Sequence, residues 1–566
     1  MPIFERLNKI FDAFSVTEKL IFTALFAICF LASLSLAAQV NNAFLVEIPS
    51  HGGTLEEGII GIPRFINPLL EISDTDRDLT ALVYSGLLKA SPDGKLINDL
   101  SEQYTISPDE RVYTFKIRDN VYFHDGAPVT AKDVQFTIEK AQDPFLKSAK
   151  RANWDGVEVQ ILGEKEVSFI LRQPYAPFLE NATIGILPKH IWKNATVDQF
   201  AFSSFNTEPI GSGPYRVTSV RQNSSGLPVR YHLTASSRYA LGEPYIENLI
   251  IEFYPNEEAL VDAYQKGHIE AINGISPATA ETLKEKGVSI AHSPLPRIFG
   301  VFFNQNQQTL FAEKAVRSAL DTALSKEQIV NEVLFGYGTP ITGPIPPTIF
   351  PETSLYIESA SSTEEAIEIL EKAGWERNDN GIMEKKGKGL QFSVSTSNVP
   401  ELKATANIIK KEWEKIGAVV EVKIFESGDL NQNVIRPRKY DALLFGEIVG
   451  RDLDLFPFWH SSQRNDPGLN IALYTNITTD KLLDSARVTL DPKERLQKYI
   501  DFEAEIEFDI PAIFIYAPEF IYVPSSRVKN INLGKITVPH ERFLDIHNWY
   551  IETEKVWEFF VRNRTR

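Results

Sequence analysis

Residues 113–136 read YTFKIRDNVYFHDGAPVTAKDVQF, and this stretch decides the fold class. Apolar and polar side chains alternate over 112–118, which predicts a half-buried strand. A second short strand is predicted at 121–123, followed by a tight turn. Thr130, with an acidic residue three positions later, predicts the start of a helix that continues to about Ala141. Strands and a helix in this order indicate an α/β (mixed α+β) chain.

Residues 390–448 contain a second pattern, of the parallel-sheet type. Strands are predicted at 390–397, 418–425 and 441–448, and a helix at 400–416 lies between the first two. The apolar residues of this helix recur at spacings of three and four, which places them on one face: Leu402, Ala406, Ile409, Trp413 and Ile416. A strand, a crossover helix and a strand predict a parallel sheet with a right-handed connection. Ligands of such sheets usually bind beyond the strand ends.

Length and composition exclude several classes of protein. A chain of 566 residues is too long for one core and is expected to form about three or four units. The net charge of −17, from 58 basic and 75 acidic residues, disfavours nucleic acid as a partner. A content of 43% hydrophobic and 11% aromatic residues is typical of a folded chain. Cys29 is the single cysteine, which excludes intramolecular disulfides and cysteine-rich zinc sites.

Sequence motifs of catalysis and cofactor binding are absent from the chain. The nine histidines do not fall in an HExxH or comparable ligand spacing. The triplets at 211–213 and 336–338 have glycine at both ends but lack the later glycine or lysine of a phosphate loop. A GxSxG nucleophile motif is also missing. We therefore expect no catalysis, no metal and no cofactor.

The N-terminal region contains an uncharged run of 19 residues, Leu20–Ala38, which is long enough to span a bilayer. The basic residues before it favour a cytoplasmic start, with the large remainder of the chain outside the cytoplasm. Ser35-Leu36-Ala37 is similar to a signal-peptide cleavage site. Because the apolar run is longer than a usual signal-peptide core, we expect an uncleaved single-pass anchor. A cleaved signal, giving a secreted or periplasmic protein, is the alternative.

The stretch 113–136 resembles the signature of the extracellular solute-binding proteins of family 5, the dipeptide- and oligopeptide-binding components of ABC importers. The resemblance covers residues 51–550 and implies a two-lobed periplasmic-binding-protein type II fold, with an extra subdomain inserted in the first lobe. Three further segments resemble the family in the same order along the chain: IGSGPYRV at 210–217, GHIEA at 267–271, and Phe303-Asn304 followed by VRSAL at 316–320.

The family resemblance implies a division of the chain into lobes. Two crossings between the lobes, near 293 and 504, would form a hinge. The expected parts are a cytoplasmic segment 1–19, a transmembrane anchor or signal sequence 20–38, lobe I at 45–72, 208–293 and 505–566, the inserted subdomain at 73–207, and lobe II at 294–504.

The resemblance also implies a function. The expected protein captures oligopeptides between its two lobes, acts as a monomer and delivers them to the membrane subunits of an ABC importer. A ligand that contacts both lobes raises the population of the closed state. Two alternatives stay open: a binding protein for a non-peptide solute such as a metal chelate or a sugar, and a surface receptor that keeps the fold without transport. A peptide hydrolase is a third class.

The family resemblance places a peptide-pairing strand edge in a segment that begins at Gly446. In relatives an aspartate there pairs with the peptide ammonium group. In this chain Glu447 occupies the position of the usual tryptophan, and the ammonium-anchoring position aligns near Val449. Asp452 is the candidate for pairing with a ligand amine, and Arg451 for pairing with a ligand carboxylate. A solvated loop carboxylate and a surface arginine are the competing interpretations.

Four other side chains are candidates for the cleft. Arg297 and Asn304 flank the apolar run RIFGVFFN, which predicts a strand buried on both faces. Trp459 would form an aromatic pocket wall. Tyr84, in a helix that ends before Gly86, is the fourth. Strand-end capping is the alternative for Arg297 and Asn304, and core packing is the alternative for Trp459 and Tyr84.

Overall fold

The computed structural model describes residues 13–348 and 361–562. The strands in these ranges are β1 Leu45–Pro49, β2 Thr54–Ile60, β3 Leu88–Ala90, β4 Leu96–Asn98, β5 Ser101–Ile106, β6 Val112–Ile117, β7 Glu158–Gly163, β8 Glu166–Ile170, β9 Tyr215–Gln222, β10 Pro228–Ala235, β11 Asn248–Tyr254, β12 Ala271–Asn273, β13 Ala291–Pro294, β14 Arg297–Phe303, β15 Gly338–Pro340, β16 Glu376–Arg377, β17 Met383–Lys385, β18 Lys388–Gly389, β19 Gln391–Ser397, β20 Val419–Phe425, β21 Ala442–Ile448, β22 Ala512–Val523 and β23 Thr553–Trp557.

The helices lie between these strands. The α-helices are Val16–Phe44, Asp74–Val83, Ala131–Gln142, Arg151–Trp154, Phe178–Asn181, Lys189–Trp192, Val197–Phe200, Glu257–Gln265, Pro277–Glu285, Lys314–Thr322, Lys326–Leu334, Thr363–Lys372, Pro400–Lys415, Ser427–Asp429, Phe456–Trp459, Ile477–Val488, Pro492–Asp509 and Glu558–Arg562. Short 3-10 turns lie at Ser204–Asn206, Thr309–Ala312, Ser461–Gln463, Pro539–Phe543 and Ile546–Asn548, and a π-turn lies at Leu430–Ile435.

A sheet of 12 strands connects the two halves of the molecule. Its order is β20-β19-β21-β14-β22-β12-β2-β11-β10-β9, and β13 and β15 also pair with β22. The first half of β22 pairs with β14, whereas its second half pairs with β12 and β13. One long strand therefore runs from one half of the molecule into the other.

We call residues 45–295 and 518–557 lobe I, and residues 296–517 lobe II. Lobe I is built on one large apolar core, to which β2, β6 and β11 contribute, and a smaller core beneath the helix Glu257–Gln265. Two apolar cores, one on each side of β14, fill lobe II. β14 lies between β21 and β22, as the continuous apolar run predicts for a strand at a sheet centre.

One predicted crossing between the lobes is displaced. The crossing predicted near 293 lies at the end of β13, where the chain enters lobe II. The crossing predicted near 504 falls inside the helix Pro492–Asp509, whose Phe502 and Ile506 pack in the core of lobe II. The chain instead passes between the lobes along β22, because this strand pairs with both halves of the sheet.

The extent of the inserted subdomain, 73–207, stays a prediction. This segment contains the four-stranded sheet β5-β6-β8-β7, and its apolar side chains belong to the same core as the rest of lobe I. The strand predicted at 112–118 is β6, and the helix predicted from Thr130 is Ala131–Gln142 with a Thr130–Asp133 capping box. The strand predicted at 121–123 is wrong, since only Tyr122 forms a bridge, with Pro128, before the chain turns.

The predicted parallel unit at 390–448 is confirmed. β19 pairs in parallel with β20 and with β21. The helix Pro400–Lys415 connects β19 to β20, and four of the five residues predicted on its apolar face are buried within it: Leu402, Ala406, Ile409 and Trp413. The fifth, Ile416, is buried at the end of the helix.

The N-terminal helix Val16–Phe44 contacts lobe I through its last turn, where Asn41 and Phe44 meet Trp557. None of its side chains is buried, and its most apolar window has a mean hydropathy of 2.4. By length and composition it is able to cross a membrane. Ser15 caps its N-terminus, where the Ser15 N–H donates to the Glu18 carboxylate at 2.8 Å. Most of the predicted cytoplasmic segment, residues 1–12, lies outside the described residues, as do residues 563–566 of predicted lobe I.

A buried ion pair network holds the C-terminal part of lobe I to its centre. Arg542 is fully buried, and its guanidinium lies 2.7 Å from Glu57 on β2 and 2.6 Å from Asp78 in the helix Asp74–Val83. Glu57 also accepts hydrogen bonds from Asn273 and from Tyr522. Burial raises the pKa of Asp78 to about 6, although Arg542 opposes the shift.

Candidate functional site

The strand β21 offers a main-chain edge for a ligand. It pairs with β14 along its whole length, and just beyond it the Val449 N–H donates to the Pro296 carbonyl at 3.0 Å. Hydrogen-bonding residues alternate in an antiparallel pair, so the residues at odd positions of β21 direct their main-chain groups at β14. Gly446 and Ile448, at even positions, therefore direct their N–H and C=O groups to the opposite side.

The opposite side of β21 is open beside these two residues. β19 pairs with β21 only at Ala442 and Leu443, so it does not reach the last part of the strand. The ring of Phe299 lies against Gly446, where a Cβ atom would be 2.6 Å from a ring carbon. A residue without a side chain is therefore required at this position. Ile448 is half exposed, and an extended ligand is able to pair with this edge as an additional strand.

Arg451, in the loop after β21, connects lobe II to lobe I. Its Nη2 atom lies 2.6 Å from Glu541 Oε2, and its Nε atom lies 3.6 Å from Glu180 Oε1. Nη1 donates to the Lys535 carbonyl at 3.2 Å. The Arg451 side chain is only 8% exposed. Charge-assisted contacts of this kind are strong and directional, so Arg451 fixes the spacing of the lobes at this point.

A second bridge between the lobes is centred on Asp454. The Tyr175 hydroxyl of lobe I donates to Asp454 Oδ2 at 3.2 Å, and Arg487 Nη2 lies 3.2 Å from the same oxygen. The Arg487 guanidinium lies 5.1 Å from the centre of the Tyr175 ring, and the Arg487 carbonyl accepts from the Ala176 N–H at 2.8 Å. This bridge joins the predicted inserted subdomain to lobe II.

A small cavity of about 110 Å³ lies between the lobes beside Arg451. A volume of this size holds a few water molecules, since each occupies about 30 Å³. Peptide-sized ligands need roughly 300 Å³ or more. A peptide is therefore not able to occupy this cavity unless the lobes move apart. The cavity is lined from both lobes, by residues that include Asp93, Pro296, Gly450, Lys535 and Thr537.

Burial shifts the pKa values of two groups beside Arg451. The pKa of Glu180 rises to about 7, chiefly because of burial, and Arg451 opposes this rise while Glu541 and Asp452 add to it. Burial lowers the pKa of His540 to about 3, so this imidazole is neutral near pH 7. The contact between the lobes therefore contains a carboxyl group that titrates near neutral pH.

Asp452 is paired within its own lobe. Arg495 Nη2 lies 3.0 Å from Asp452 Oδ1, and both residues belong to lobe II. Burial raises the pKa of Asp452, and Arg495 opposes this shift. The pairing of Asp452 with a ligand amine stays a prediction. A ligand amine would have to compete with Arg495 for this carboxylate.

Arg297 and Asn304 lie at opposite ends of β14 and have different environments. Arg297 faces lobe I, where Asp74 partly opposes the lowering of its pKa by burial, and its Nε atom has no hydrogen-bond partner among the described residues. Asn304 donates from Nδ2 to the Arg438 carbonyl at 2.9 Å and accepts from two main-chain N–H groups that follow it. Asn304 therefore caps the strand end, whereas the Nε atom of Arg297 is buried without a partner among the described residues.

Three other candidate residues are buried away from the open edge. Val449 and Trp459 lie in an apolar core of lobe II, where the Trp459 ring lies 5.7 Å from that of Phe514. Tyr84 ends the helix Asp74–Val83 and lines a cavity of about 210 Å³ inside lobe I. Both rings are buried, and Glu180 and Glu541 also line the cavity beside Tyr84, so a contact of either ring with a ligand stays a prediction.

Glu447 is also buried, although it lies next to the open edge in sequence. Neither of its carboxylate oxygens has a hydrogen-bond partner among the described residues. Burial raises its pKa well above the ordinary value, which favours the neutral acid. Glu447 therefore offers no charge to a ligand.

Sequence reasoning found Arg451 but missed four of the residues that join the lobes. Tyr175, Glu180, Arg487 and Glu541 stand in segments without a motif. The hydrogen bond from Arg451 to Glu541 spans 90 residues of chain, and that from Tyr175 to Asp454 spans 279. Only the folded arrangement reveals these pairs. In residues 13–348 and 361–562, no group of three or more His, Cys, Asp and Glu side chains is arranged to hold a metal ion.

Comparison with known proteins gives a family match over most of the chain. Residues 95–467 match the model of the bacterial extracellular solute-binding proteins, family 5. This chain belongs to that family. A relative, the oligopeptide-binding protein AppA of Bacillus subtilis, is 31% identical over 480 residues, which are 83% of this chain and 87% of AppA. The family is extracellular, which places the lobes outside the cytoplasm.

Solved structures show the same fold. AppA of Bacillus subtilis in complex with a nonapeptide has a TM-score of 0.70 and 28% identity, and the match covers 89% of this chain and all of AppA. NikZ of Campylobacter jejuni in complex with Ni(L-His) has a TM-score of 0.71 and 28% identity, and the match covers 88% of this chain and 99% of NikZ. Two solved structures of nearly equal similarity to this chain thus hold a peptide in one case and a nickel complex in the other.

Proposed function

We propose that this protein binds peptides between its lobes and delivers them to an ABC importer, without catalysis and as a monomer. The observation that carries the proposal is the open edge of β21, where Gly446 and Ile448 direct main-chain groups away from β14. Main-chain pairing tolerates many side chains, because every peptide carries the same N–H and C=O groups. The similarity to AppA, which is known with a nonapeptide, supports a peptide as the ligand.

The position of the open edge of β21 explains how a ligand would close the two lobes. The edge belongs to lobe II, while Arg451 and Asp454 beside it reach lobe I. A peptide paired with the edge would contact both lobes only when they are together, so binding would raise the closed population. Arg297, which has an unpartnered Nε atom, is the candidate for a ligand carbonyl or carboxylate.

Substitution of proline at position 448 tests the open edge. Ile448→Pro removes one outward N–H, and proline is tolerated where a strand N–H faces away from its neighbours. A main-chain hydrogen bond contributes about 1 kcal/mol net, so we expect peptide affinity to fall about fivefold to tenfold. Isothermal titration with a peptide mixture of defined length would measure this change. Ile448→Val keeps the N–H and is the matched control; equal affinities of the two variants would contradict pairing at this edge.

Peptide affinity is expected to decrease as pH rises from about 4.5 to 7. The pKa of Glu180 is about 7 where the lobes meet, against an ordinary value of 4.5, so the closed form holds the proton more tightly than the open form. Above pH 4.5 the open form ionises first, and closure then loses free energy until the pH exceeds 7. These two pKa values correspond to a decrease of about 70-fold between pH 5 and pH 8, which titration at the two pH values would measure.

Glu180→Gln should flatten this pH dependence, because glutamine does not ionise. Glu164→Gln, at an exposed position of lobe I, is the matched control and should keep the native slope. An unchanged slope in Glu180→Gln would show that another group controls closure.

The identity of the ligand is tested by what the protein carries. Mass spectrometry of small molecules released by denaturing the purified protein should show a series of short peptides. If the protein released a single metal chelate, like the nickel complex held by NikZ, the proposed ligand would be that chelate and not a peptide. An empty protein that also ignores added peptides would favour a receptor that retains the fold.

We also propose that the helix Val16–Phe44 stays attached as a single-pass anchor. Its exposed apolar surface and its length support this role. Edman sequencing of the protein extracted from membranes decides between an anchor and a cleaved signal, since cleavage near Ala37 would give a new N-terminus.

A further inference from the structure

The C-terminus of the chain is joined to the base of the N-terminal helix. β1 directly follows Phe44 and pairs with β23, with Leu45 opposite Trp557. The Trp557 ring stacks on Phe44 with ring centres 6.0 Å apart, and its Nε1 donates to Asn41 Oδ1 at 3.0 Å. Lys555, which precedes this pair, lies near Glu47 across the same two strands. The last strand of the chain therefore ends beside the last turn of the helix.

Four aromatic residues at this junction are exposed. The exposed fractions are 52% for Phe44, 46% for Trp557, 68% for Phe559 and 59% for Phe560. We call these four residues the junction cluster. The cost of leaving several large rings in water is high, and contiguous apolar surface of this kind usually marks a contact site. The position of the cluster, beside the proposed membrane anchor, indicates what covers it.

The length of the helix sets the depth of the cluster. The uncharged run Leu20–Ala38 spans about 28 Å as a helix, which matches the hydrocarbon core of a bilayer. Residues 39–44 add about 9 Å and cross the headgroup layer, which is about 5–8 Å thick. Phe44 and Trp557 therefore lie at the outer boundary of the headgroup layer, where the membrane meets water. Tryptophan and other aromatic side chains are enriched at this level in membrane proteins.

The sequence after the cluster has a matching charge. In the sequence, Arg562, Arg564 and Arg566 follow the cluster, and Glu558 lies within it. Basic residues close to a bilayer are attracted to anionic lipid headgroups. Aromatic side chains followed by arginines are the combination that binds an anionic membrane surface.

We infer that the junction cluster docks on the bilayer surface and gives the protein a second membrane contact beside its anchor. This inference rests on the proposed anchoring by Val16–Phe44. One helix alone leaves the lobes free to tilt about the point where it emerges. A second contact, from Trp557, Phe559 and Phe560, restricts that tilt and orients lobe I, which contains β23, relative to the membrane. The importer then meets the cleft in a limited set of orientations.

Tryptophan fluorescence tests the docking without a label. Trp557 is the exposed tryptophan of the seven, since Trp154, Trp192, Trp375, Trp413, Trp459 and Trp549 are at most 2% exposed. The full chain is reconstituted in vesicles of phosphatidylcholine and phosphatidylglycerol, with and without brominated acyl chains. We expect brominated lipid to quench the Trp557 emission and aqueous iodide to leave it unchanged. Trp557→Phe, which removes the exposed indole, should abolish the quenching by brominated lipid.

The double variant Phe559→Ser, Phe560→Ser separates docking from mere nearness of Trp557 to the helix. Both side chains are exposed, so the lobes should fold normally, and we expect lipid quenching to fall by about half with a gain in iodide quenching. Phe202→Ser, at another exposed position of lobe I, is the matched control and should behave like the native chain. Native quenching in the double variant would overturn the docking.

Flotation of the vesicles distinguishes the two ways in which the inference fails. Protein that floats with vesicles but has iodide-accessible Trp557 keeps its anchor and does not dock. Protein that does not float has neither contact, which overturns the docking and the anchor together. Peptide binding by the same sample is measured separately, so that loss of the proposed ligand is not confused with loss of docking.

Discussion

Replacement of Arg542 by alanine is expected to lower the free energy of unfolding of lobe I by about 4 kcal/mol. Arg542 is fully buried between Glu57 and Asp78, at 2.7 and 2.6 Å. Its removal would leave two buried carboxylates without their cation. Breaking a buried ion pair by removing one partner costs about 3–5 kcal/mol, because the remaining charge stays desolvated. Urea denaturation followed by tryptophan fluorescence would measure the loss.

Arg527→Ala is the matched control for this prediction. Arg527 also lies in lobe I and pairs with Glu270 at 3.1 Å, but its side chain is 53% exposed. Exposed ion pairs contribute about 0–1 kcal/mol, so the control should unfold almost like the native protein. Similar losses in the two variants would show that the network around Arg542 is no more important than a surface pair.

The loss in Arg542→Ala should also become smaller at low pH. Burial raises the pKa of Asp78 to about 6 in the native protein, where Arg542 opposes the rise, so in Arg542→Ala this group takes up its proton at a still higher pH. A neutral Asp78 needs no cation, and the variant then keeps one unpaired charge fewer. We expect the difference between Arg542→Ala and the native protein to decrease from pH 8 to pH 5.

Much of the fold was predictable because its signals are local. The helix Pro400–Lys415 begins with proline and carries an apolar stripe at helical spacing, so it is recognised from its own residues. A local signal was also misleading at 121–123. Three apolar residues there predicted a strand, but the turn that follows leaves only Tyr122 to pair. The lobe boundary predicted at 504 falls inside the helix Pro492–Asp509, whereas β22 pairs with two distant strands that no local pattern reveals.

The residues of the candidate site also differ in whether local sequence could predict them. Gly446 was selected through resemblance, and the structure adds the physical reason, which is the Phe299 ring packed against it. Asp452 was selected as a carboxylate near the edge, but its partner Arg495 lies on a helix 43 positions later and no local pattern predicts the pair. Trp459 shows that an aromatic residue near a cleft is as well explained by core packing.

Arg451→Ala is expected to weaken peptide binding by roughly 100-fold. In the observed arrangement Arg451 lies 2.6 Å from Glu541 and 3.6 Å from Glu180, and both carboxylates belong to the opposite lobe. Without the guanidinium, closure would bury two carboxyl groups beside each other. The cost, about 3 kcal/mol, falls on the closed form alone, because water surrounds the same groups when the lobes are apart. Titration calorimetry with a bound peptide would give the affinity.

The same reasoning predicts which measurements stay unchanged. Arg451→Ala should unfold in urea almost like the native protein without peptide, since the contact is between lobes and not within one. Arg111→Ala, which breaks a half-exposed pair with Asp109, should change neither affinity nor stability by more than about 1 kcal/mol. The variant Arg451→Ala, Glu541→Gln removes the arginine together with one of the uncompensated charges and should recover part of the affinity. If Arg451→Ala binds peptide as tightly as the native chain, the bridge at Glu541 does not contribute to closure.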